Sequence, residues 1–384
     1  MRYNDFNGEK VSSLGFGTMR LPMHDNGEIN YEAGAEMVEA AMKNGITYFD
    51  TAYKYHKGEA ENFCGAVLSK YPRESYTLAD KLPTWLCNTT EDAERIFNEQ
   101  LEKCNVNYFD YYLLHSIDEG SWPDIEKVNL VDFMIKKKES GLVKHIGFSA
   151  HCGPELLEHI LSKYNDVFEF VQLQINYFDW EFQDAKALYD IARKYNQPII
   201  IMEPIRGGML ANLPSEEAKK VLDVATAAEG KDPMSYAAYA LLFVEQLEGV
   251  ACTLSGMSSL EQTVDNINTF SEKELTAGEL DAITHATSKL QADILIPCTG
   301  CDYCFECPSD IKISKLFAWY NEAAAKGFHY IWGSLARNYE KIGPNAANCI
   351  ECGNCQSHCP QKIDIIEKLQ MLHNKYNELK EIGE

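Results

Sequence analysis

From residue 14 to about residue 270, short apolar runs alternate with longer segments whose apolar residues recur three and four positions apart. The short runs predict buried strands, and the longer segments predict amphipathic helices. Eight strand and helix units in succession favour a parallel α/β barrel of the (β/α)8, or TIM, type. The predicted strands span residues 14–17, 46–49, 76–79, 108–114, 143–149, 170–174, 198–202 and 250–254.

An open, doubly wound sheet is built from the same alternation of strands and helices. Such a sheet normally carries a Gly-x-Gly-x-x-Gly turn after its first strand, whereas this chain offers only Gly15-Phe16-Gly17-Thr18 there. The barrel is therefore the preferred fold. Its helices are expected at residues 31–43, 90–103, 128–138, 155–163 and 183–194.

A chain of 384 residues exceeds the roughly 250 residues of a typical barrel, so we expect a second, smaller domain. Residues 271–290 have one more helical pattern, and Pro297 then precedes a cysteine-rich stretch with almost no strand pattern. We place the barrel in residues 1–290 and a mainly α-helical domain in residues 291–384. Further helices are expected there at residues 311–326 and 363–376.

The formal net charge of -23 argues against a nucleic-acid partner and against binding to an anionic membrane surface. Both of these partners require clustered Lys and Arg side chains. No run approaches the roughly 18 apolar residues of a membrane-spanning helix. The first residues carry charges where a signal peptide needs an apolar core. We therefore expect a cytoplasmic protein.

Eight of the thirteen cysteines lie in two runs near the C-terminal end of the sequence. The second run has the spacing of the bacterial ferredoxin motif. In that motif three closely spaced thiolates bind one four-iron cluster, and a fourth cysteine before a proline binds the other. This spacing predicts two 4Fe-4S clusters with crossed sets of ligands. The sets are Cys298, Cys301, Cys304 and Cys359, and Cys349, Cys352, Cys355 and Cys307.

The first run departs from this spacing, because two rather than three residues precede Cys307. Two structural zinc sites of four cysteines each are the alternative, since tetrahedral thiolate coordination would use the same residues. Zinc ribbons seldom place three or four cysteines at such short intervals before a proline, which favours iron. With its helical spacer, the region resembles the α-helical ferredoxins over residues 291–384.

Polar residues stand at three successive strand ends, where barrel enzymes place their chemistry. Asp50 ends the second strand, Lys81 the third and His115 the fourth, and Tyr55 lies just beyond Asp50. A tyrosine is a poor acid unless a neighbour stabilises its phenolate, as a buried lysine does. An aspartate can hold that lysine's charge, and a histidine can orient a carbonyl oxygen. Each residue alone is more often structural, but the four together predict a carbonyl-reducing site.

The segments Leu14-Gly15-Phe16-Gly17-Thr18, Asp50-Thr51-Ala52 and Ile146-Gly147-Phe148-Ser149, with the four polar residues above, resemble the aldo-keto reductases. The resemblance covers the whole barrel. It implies a small carbonyl or alcohol substrate, with Tyr55 as the general acid, Lys81 and Asp50 tuning it, and His115 positioning the substrate. It also implies a nicotinamide cofactor bound without a Rossmann fold. The matching positions are Gly17, Thr18, Asp50, Ser149, Gln174 and Asn266.

Later segments depart from that family's pattern. Met202 stands where an aromatic residue often stacks on the nicotinamide, and residues 255–262 lack the Arg that usually grips a 2′-phosphate. NAD(H) is therefore at least as plausible as NADP(H). A Gly-Gly pair after the seventh strand fits either a tight turn or close backbone approach to the cofactor's pyrophosphate. The contacts expected from these segments are Met202, Gly207, Gly208, Ser258 and Gln262.

The two predicted domains do not share a chemistry, because clusters move single electrons and nicotinamides exchange hydride. A flavin is the usual intermediary between them. The leading hypothesis is an NAD(P)(H)-linked oxidoreductase whose clusters exchange electrons with a flavin, an electron-transfer protein or a substrate. A plain carbonyl reductase with structural or oxidation-sensing clusters is the second hypothesis. A non-catalytic, nicotinamide-binding redox-sensor subunit is the third, and the presence of all four polar residues counts against it.

Overall fold

The computed structural model describes residues 1–182, 184–293, 295–304, 307–325 and 339–383. The chain divides into two compact units. One comprises Met1–Ile205 with Ala237–Thr276, and the other comprises Arg206–Tyr236 with Ala277–Glu384. Each unit consists of two separate segments of the chain, because the units are defined by packing. The expected domains, 1–290 and 291–384, are single continuous segments, and their limits stay a prediction.

Eight parallel strands of the first unit form a closed barrel, which confirms the predicted fold. The strands follow one another around the barrel in sequence order, and the last pairs with the first. Each predicted strand is present, and most of the strand ends differ from the predicted ends by one to four residues. The strands are β3 (Leu14–Gly17), β4 (Tyr48–Asp50), β5 (Thr77–Pro83), β6 (Phe109–Ile117), β7 (Val143–Ala150), β8 (Val171–Gln174), β9 (Ile199–Met202) and β10 (Val250–Gly256).

Helices follow the strands along the chain. These segments form helices that pack on the barrel because their apolar residues recur on one face. Local signals set their ends: the helix Thr90–Cys104 begins with a capping box between Thr89 and Asp92 and ends at Asn105 in the left-handed conformation. The helices up to the eighth strand unit are Tyr31–Lys43, Ala60–Leu68, Thr90–Cys104, Trp122–Val128, Leu130–Glu139, Pro154–Tyr164, Asp179–Phe182, Ala185–Lys194, Glu216–Ala228, Tyr236–Glu245 and Leu260–Glu272.

A hairpin that the sequence patterns did not predict fills the amino end of the barrel. Its strands are β1 (Tyr3–Phe6) and β2 (Glu9–Ser12), which pair antiparallel around a tight turn. Phe6 stacks on the ring of Tyr111 with centroids 4.6 Å apart and meets Phe170 edge-on at 5.4 Å. These rings close the barrel interior at the end opposite to the carboxyl ends of the strands.

The second unit is built from helices, and no strand occurs among its described residues. Glu279 is fully buried there and accepts hydrogen bonds from Thr226 Oγ1 at 3.0 Å and Lys231 Nζ at 2.7 Å. These bonds tie the helix Glu216–Ala228 to the helix Ala277–Asp293. Further helices of this unit include Ile313–Ala325, Asn354–Ser357 and Ile365–Gly383. None of the described helices combines the length and apolar character needed to cross a membrane.

Candidate functional site

A buried ion pair lies at the carboxyl end of the barrel strands. Lys81 Nζ is 2.5 Å from Asp50 Oδ1 and donates to the carbonyl oxygen of Thr51 at 2.8 Å. The two side chains are 0% and 3% exposed, so each charge depends on the other for compensation. Burial raises the pKa of Asp50, and the Lys81 ammonium opposes that rise. The pair fixes a lysine inside the barrel.

Tyr55 lies next to this lysine. It begins the 3-10 turn Tyr55–Gly58 after β4, and its ring packs against Ala52 and Ala60. Lys81 Nζ is 5.1 Å from the centroid of the ring, within the usual range of a cation–π contact. A positive charge at this distance stabilises the phenolate that remains when the tyrosine gives up its proton.

His115 completes the group of four predicted residues. It lies near the carboxyl end of β6, 4% exposed, with its ring centroid 6.1 Å from that of Tyr55. Burial lowers the pKa of His115 well below its ordinary value, and Lys81 and His151 lower it further. The imidazole is therefore neutral near pH 7 and fits a hydrogen-bonding role beside a carbonyl oxygen.

Trp85 is a residue of this site that sequence reasoning missed. It belongs to the short turn Thr84–Leu86 that directly follows β5, and its ring lies 5.3 Å from the ring of His115. Trp85 is 39% exposed, so it presents apolar surface at the edge of the polar group. Its place just after a strand that carries Lys81 was the available signal, because the loops after barrel strands form the site.

Several predicted cofactor contacts lie along the seam between β3 and β10. Gly17 is in register with Gly256, and Thr18 Oγ1 donates to the Asp50 carbonyl oxygen at 2.9 Å. Asn266 is buried and donates through Nδ2 to Ser255 Oγ at 2.9 Å. Nearby, the Ser258 amide donates to Gln262 Oε1 at 2.8 Å. The structure thus brings these predicted residues together at one edge of the barrel mouth.

The neighbouring strands place a different glutamine beside Ser149 from the one expected. Ser149 is in register with Gln172, which is 2% exposed and directs its Nε2 to Met202 Sδ at 3.6 Å. Gln172 Oε1 has no hydrogen-bond partner among the described residues. Gln174, the expected residue, instead donates to Asp179 Oδ2 at 2.7 Å. Gln172 is therefore the better placed of the two to meet a ligand beside Ser149.

Gly207 and Gly208 belong to the second unit. Both have positive φ, at 64° and 96°, which agrees with a tight turn. A Cβ at Gly207 would overlap the carbonyl oxygen of Thr299, so a residue without a side chain is needed there. The close approach seen at Gly207 is thus to the cysteine-rich segment, and a cofactor contact at either glycine stays a prediction.

One concave site of the second unit is lined by one crossed set of cysteines, three from the second run and one from the first. The remaining lining is apolar. The lining residues are Cys307, Pro308, Ile311, Ile313, Cys349, Ile350, Cys352, Gly353, Cys355, Ile366 and Leu369.

The other four cysteines approach one another in the same crossed way. Burial raises the pKa of Cys298 to about 11, and Cys359 of the second run contributes to that rise. Burial also raises the pKa of Cys304, and Cys301, Cys298 and Cys359 add to it. Thiols that disfavour each other's ionisation are suited to a shared cationic centre. Among the residues the structure describes, no three His, Cys, Asp or Glu side chains converge on one metal-ion position. The donor chemistry of two sets of four thiols fits iron–sulfur clusters.

The chain thus combines a parallel barrel, with a buried Lys–Asp pair, a tyrosine and a histidine at its carboxyl end, and a cysteine-rich helical unit. The aldo/keto reductase family profile matches residues 13–287, and a 4Fe-4S dicluster domain profile matches residues 297–363. The chain belongs to the aldo/keto reductase family.

Curated relatives are distant. The chain is 27% identical over 227 residues to probable aldo-keto reductase 1 of Glycine max, a match that covers 56% of this chain and 63% of the relative. A second match, to an aldo-keto reductase of Gibberella moniliformis, is 26% identical and covers 55% and 63%. The chain thus spans less than two thirds of the length of these relatives. It is also 22% identical to the uncharacterized oxidoreductase YqkF of Bacillus subtilis, covering 73% of this chain and 94% of that protein.

Solved structures show the same fold. Aldo-keto reductase AKR11C1 of Bacillus halodurans, in its holo form, aligns with a TM-score of 0.60 at 20% identity and covers 74% of this chain and 96% of its own. An aldo-keto reductase of Klebsiella pneumoniae, in complex with NADP and acetate, aligns with a TM-score of 0.59 at 18% identity and covers 72% and 92%. At these identities the likeness establishes the barrel fold.

Proposed function

We propose that the barrel is an NAD(P)(H)-dependent oxidoreductase that transfers hydride between a nicotinamide and a small carbonyl or alcohol. The observation that carries this proposal is the Tyr55 ring beside the buried Lys81–Asp50 pair. A nicotinamide would supply the hydride when bound, and Tyr55 would give its hydroxyl proton to the carbonyl oxygen in the reducing direction. Lys81 stabilises the phenolate that remains, and Asp50 holds the lysine in place. Neutral His115 hydrogen-bonds the same oxygen.

Ser149 and Gln172 are the side chains proposed to hold the nicotinamide carboxamide. They occupy the same level of neighbouring strands, and both are almost fully buried. Gln172 offers a carbonyl oxygen that can accept a hydrogen bond from an amide N–H. Residues 255–262 contain no Arg, so the proposal includes NAD(H) as well as NADP(H).

The second unit is proposed to bind two 4Fe-4S clusters through the crossed sets of cysteines. Each bound cluster would accept or give one electron. Isoleucines and Leu369 give the second set an apolar surrounding. A flavin, an electron-transfer protein or an unusual substrate would then exchange electrons with these centres.

Replacing Tyr55 by Phe tests the barrel chemistry. We expect kcat/KM for NADH- or NADPH-dependent carbonyl reduction to fall by about 10²–10⁴, because a general acid contributes an effect of that size. Nucleotide binding, measured by quenching of intrinsic fluorescence, should be unchanged. Tyr53→Phe is the matched control: Tyr53 lies in the same loop, but its hydroxyl donates to Glu99 at 2.7 Å. Equal activity in the two variants would contradict the proposed role of Tyr55.

In the alternative function, the clusters serve only to stabilise the fold, and one observation favours this. Six of the eight cysteines pack against the apolar core of the second unit, whose centre includes Leu316, Phe317 and Leu372. Clusters there would cross-link the segments of a small core in either oxidation state. Under this alternative, wild-type clusters stay oxidised when NADH is added anaerobically with substrate or flavin, whereas bleaching of their visible absorbance supports electron exchange.

A further inference from the structure

Arg206 is a buried cation of the second unit, next to the segment that carries Cys298. Its side chain is 1% exposed, and its backbone has a φ of 49°, a conformation that residues other than glycine adopt rarely. Nη2 donates to the carbonyl oxygen of Pro297 at 3.2 Å. Pro297 directly precedes Cys298, which we assign to the first crossed set of cysteines.

The next residue, Gly207, approaches Thr299, the residue on the other side of Cys298. The carbonyl oxygen of Thr299 fills the place where a side chain at Gly207 would lie. Arg206 and Gly207 therefore bracket Cys298 through its two neighbours in the sequence.

Backbone amides add positive potential at the same set of cysteines. The Gly300 amide donates to Cys298 Sγ at 3.4 Å. The Lys362 amide donates to the carbonyl oxygen of Cys359, the residue that the second run contributes, at 3.0 Å. Asp302 acts in the opposite direction, but it is exposed and its charge is screened by water.

The second set of cysteines has a different environment. The concave site of Cys307, Cys349, Cys352 and Cys355 is lined otherwise by Ile, Leu, Pro and Gly, with no cationic side chain. The Glu351 amide donates to Cys349 Sγ at 3.4 Å, as Gly300 does to Cys298. The contrast between the sets therefore rests on Arg206.

We propose that Arg206 raises the reduction potential of the centre held by Cys298, Cys301, Cys304 and Cys359 above that of the other centre. A cluster bound by four thiolates is negatively charged, and reduction adds one more negative charge. A fixed positive charge in a water-poor site therefore stabilises the reduced form. A guanidinium keeps its charge when buried, so it suits this role. This inference rests on the proposed presence of two clusters, and it makes them unequal.

Anaerobic redox titration of the full chain, followed by EPR spectroscopy, tests the proposal. In Arg206→Gln we expect the equilibrium constant for reducing the Cys298 centre to fall by about tenfold, which equals about 59 mV for a one-electron couple. Arg206→Lys keeps the charge and should recover most of that loss. Asp302→Asn should shift the same centre by a smaller factor in the opposite direction. The Cys307 centre should not move in any of the three variants.

Assignment and iron content separate the possible failures. Cys352→Ser alters the spectrum of the Cys307 centre and so identifies its transition. Arg206→Gln protein with a full iron content and unshifted potentials overturns the proposal. If that variant does not retain its iron, the order in which the two wild-type centres are reduced tests the proposal. The Cys298 centre must be reduced first, and the opposite order overturns the proposal. A wild-type protein without iron and sulfide would overturn the proposed clusters and this inference with them, whereas an unshifted potential overturns the inference alone.

Discussion

Breaking the Lys81–Asp50 pair is expected to destabilise the barrel strongly, and the two single substitutions should not add. At 2.5 Å and an effective dielectric constant of about 20, the attraction between the charges is about 6–7 kcal/mol. The desolvation of two groups that are 0% and 3% exposed offsets much of it. Removing one partner, however, leaves the other charge buried and uncompensated, which costs about 3–5 kcal/mol.

The assay is a double-mutant cycle in the free energy of unfolding, measured by anaerobic urea denaturation at pH 7. We expect Asp50→Asn and Lys81→Met each to lower that free energy by about 3–5 kcal/mol. The double variant should lose little more than either single variant, because it leaves no unpaired charge. The coupling energy should therefore be about 3 kcal/mol or more.

An exposed pair provides the control for this cycle. Lys43 and Glu39 are 2.6 Å apart on the first helix of the barrel, but their side chains are 71% and 53% exposed. Water and salt screen such a pair, so its coupling should be close to zero. Additive losses at Asp50 and Lys81, or equal coupling in the two pairs, would refute the argument from burial.

Two more predictions concern pH and the clusters. Burial lowers the pKa of His115 well below 6.5, so below that pH the unfolded chain takes up a proton there that the folded chain does not. The free energy of unfolding should fall as the pH drops from 7.5 to 5.5, by at most about 1.4 kcal/mol per unit from this residue, and less steeply in His115→Gln. For the clusters, Cys307→Ser and Cys352→Ser should perturb the EPR spectrum of one centre, and Cys298→Ser and Cys359→Ser that of the other. If Cys307→Ser instead perturbs the same centre as Cys298→Ser, the ligands are grouped by run, and the crossed arrangement is contradicted.

The barrel could be predicted from the sequence because its strands and helices have different apolar periods and repeat eight times. The hairpin Tyr3–Ser12 could not be predicted in the same way. Its strands are four residues long and carry charges, so no apolar run marks them. Its signal was the Asn7-Gly8 pair, whose φ angles of 54° and 82° suit a tight hairpin turn. The pattern across 271–290 was also predicted as one helix, whereas one helix ends at Glu272 and the next begins at Ala277.

The chemistry of the candidate site was predictable to the level of residue types at strand ends. The choice between Gln172 and Gln174 was not, because side chains two apart in a strand point to the same side. Only the register with β7 puts Gln172 level with Ser149. Arg206 was equally inaccessible, since its burial depends on residues more than eighty positions later, at Pro297 and Thr299. Contacts of that range depend on the folded chain.

The Phe6 ring at the amino end of the barrel has a consequence for synthesis of the chain. Its partners Tyr111 and Phe170 emerge from the ribosome much later than the hairpin that carries it. At about 5–20 residues per second, roughly 160 residues correspond to about 10–30 s during which this aromatic face has no barrel to enter. The Phe6 side chain therefore reaches its final environment only after Phe170 has been synthesised, and closure of the barrel waits for that residue.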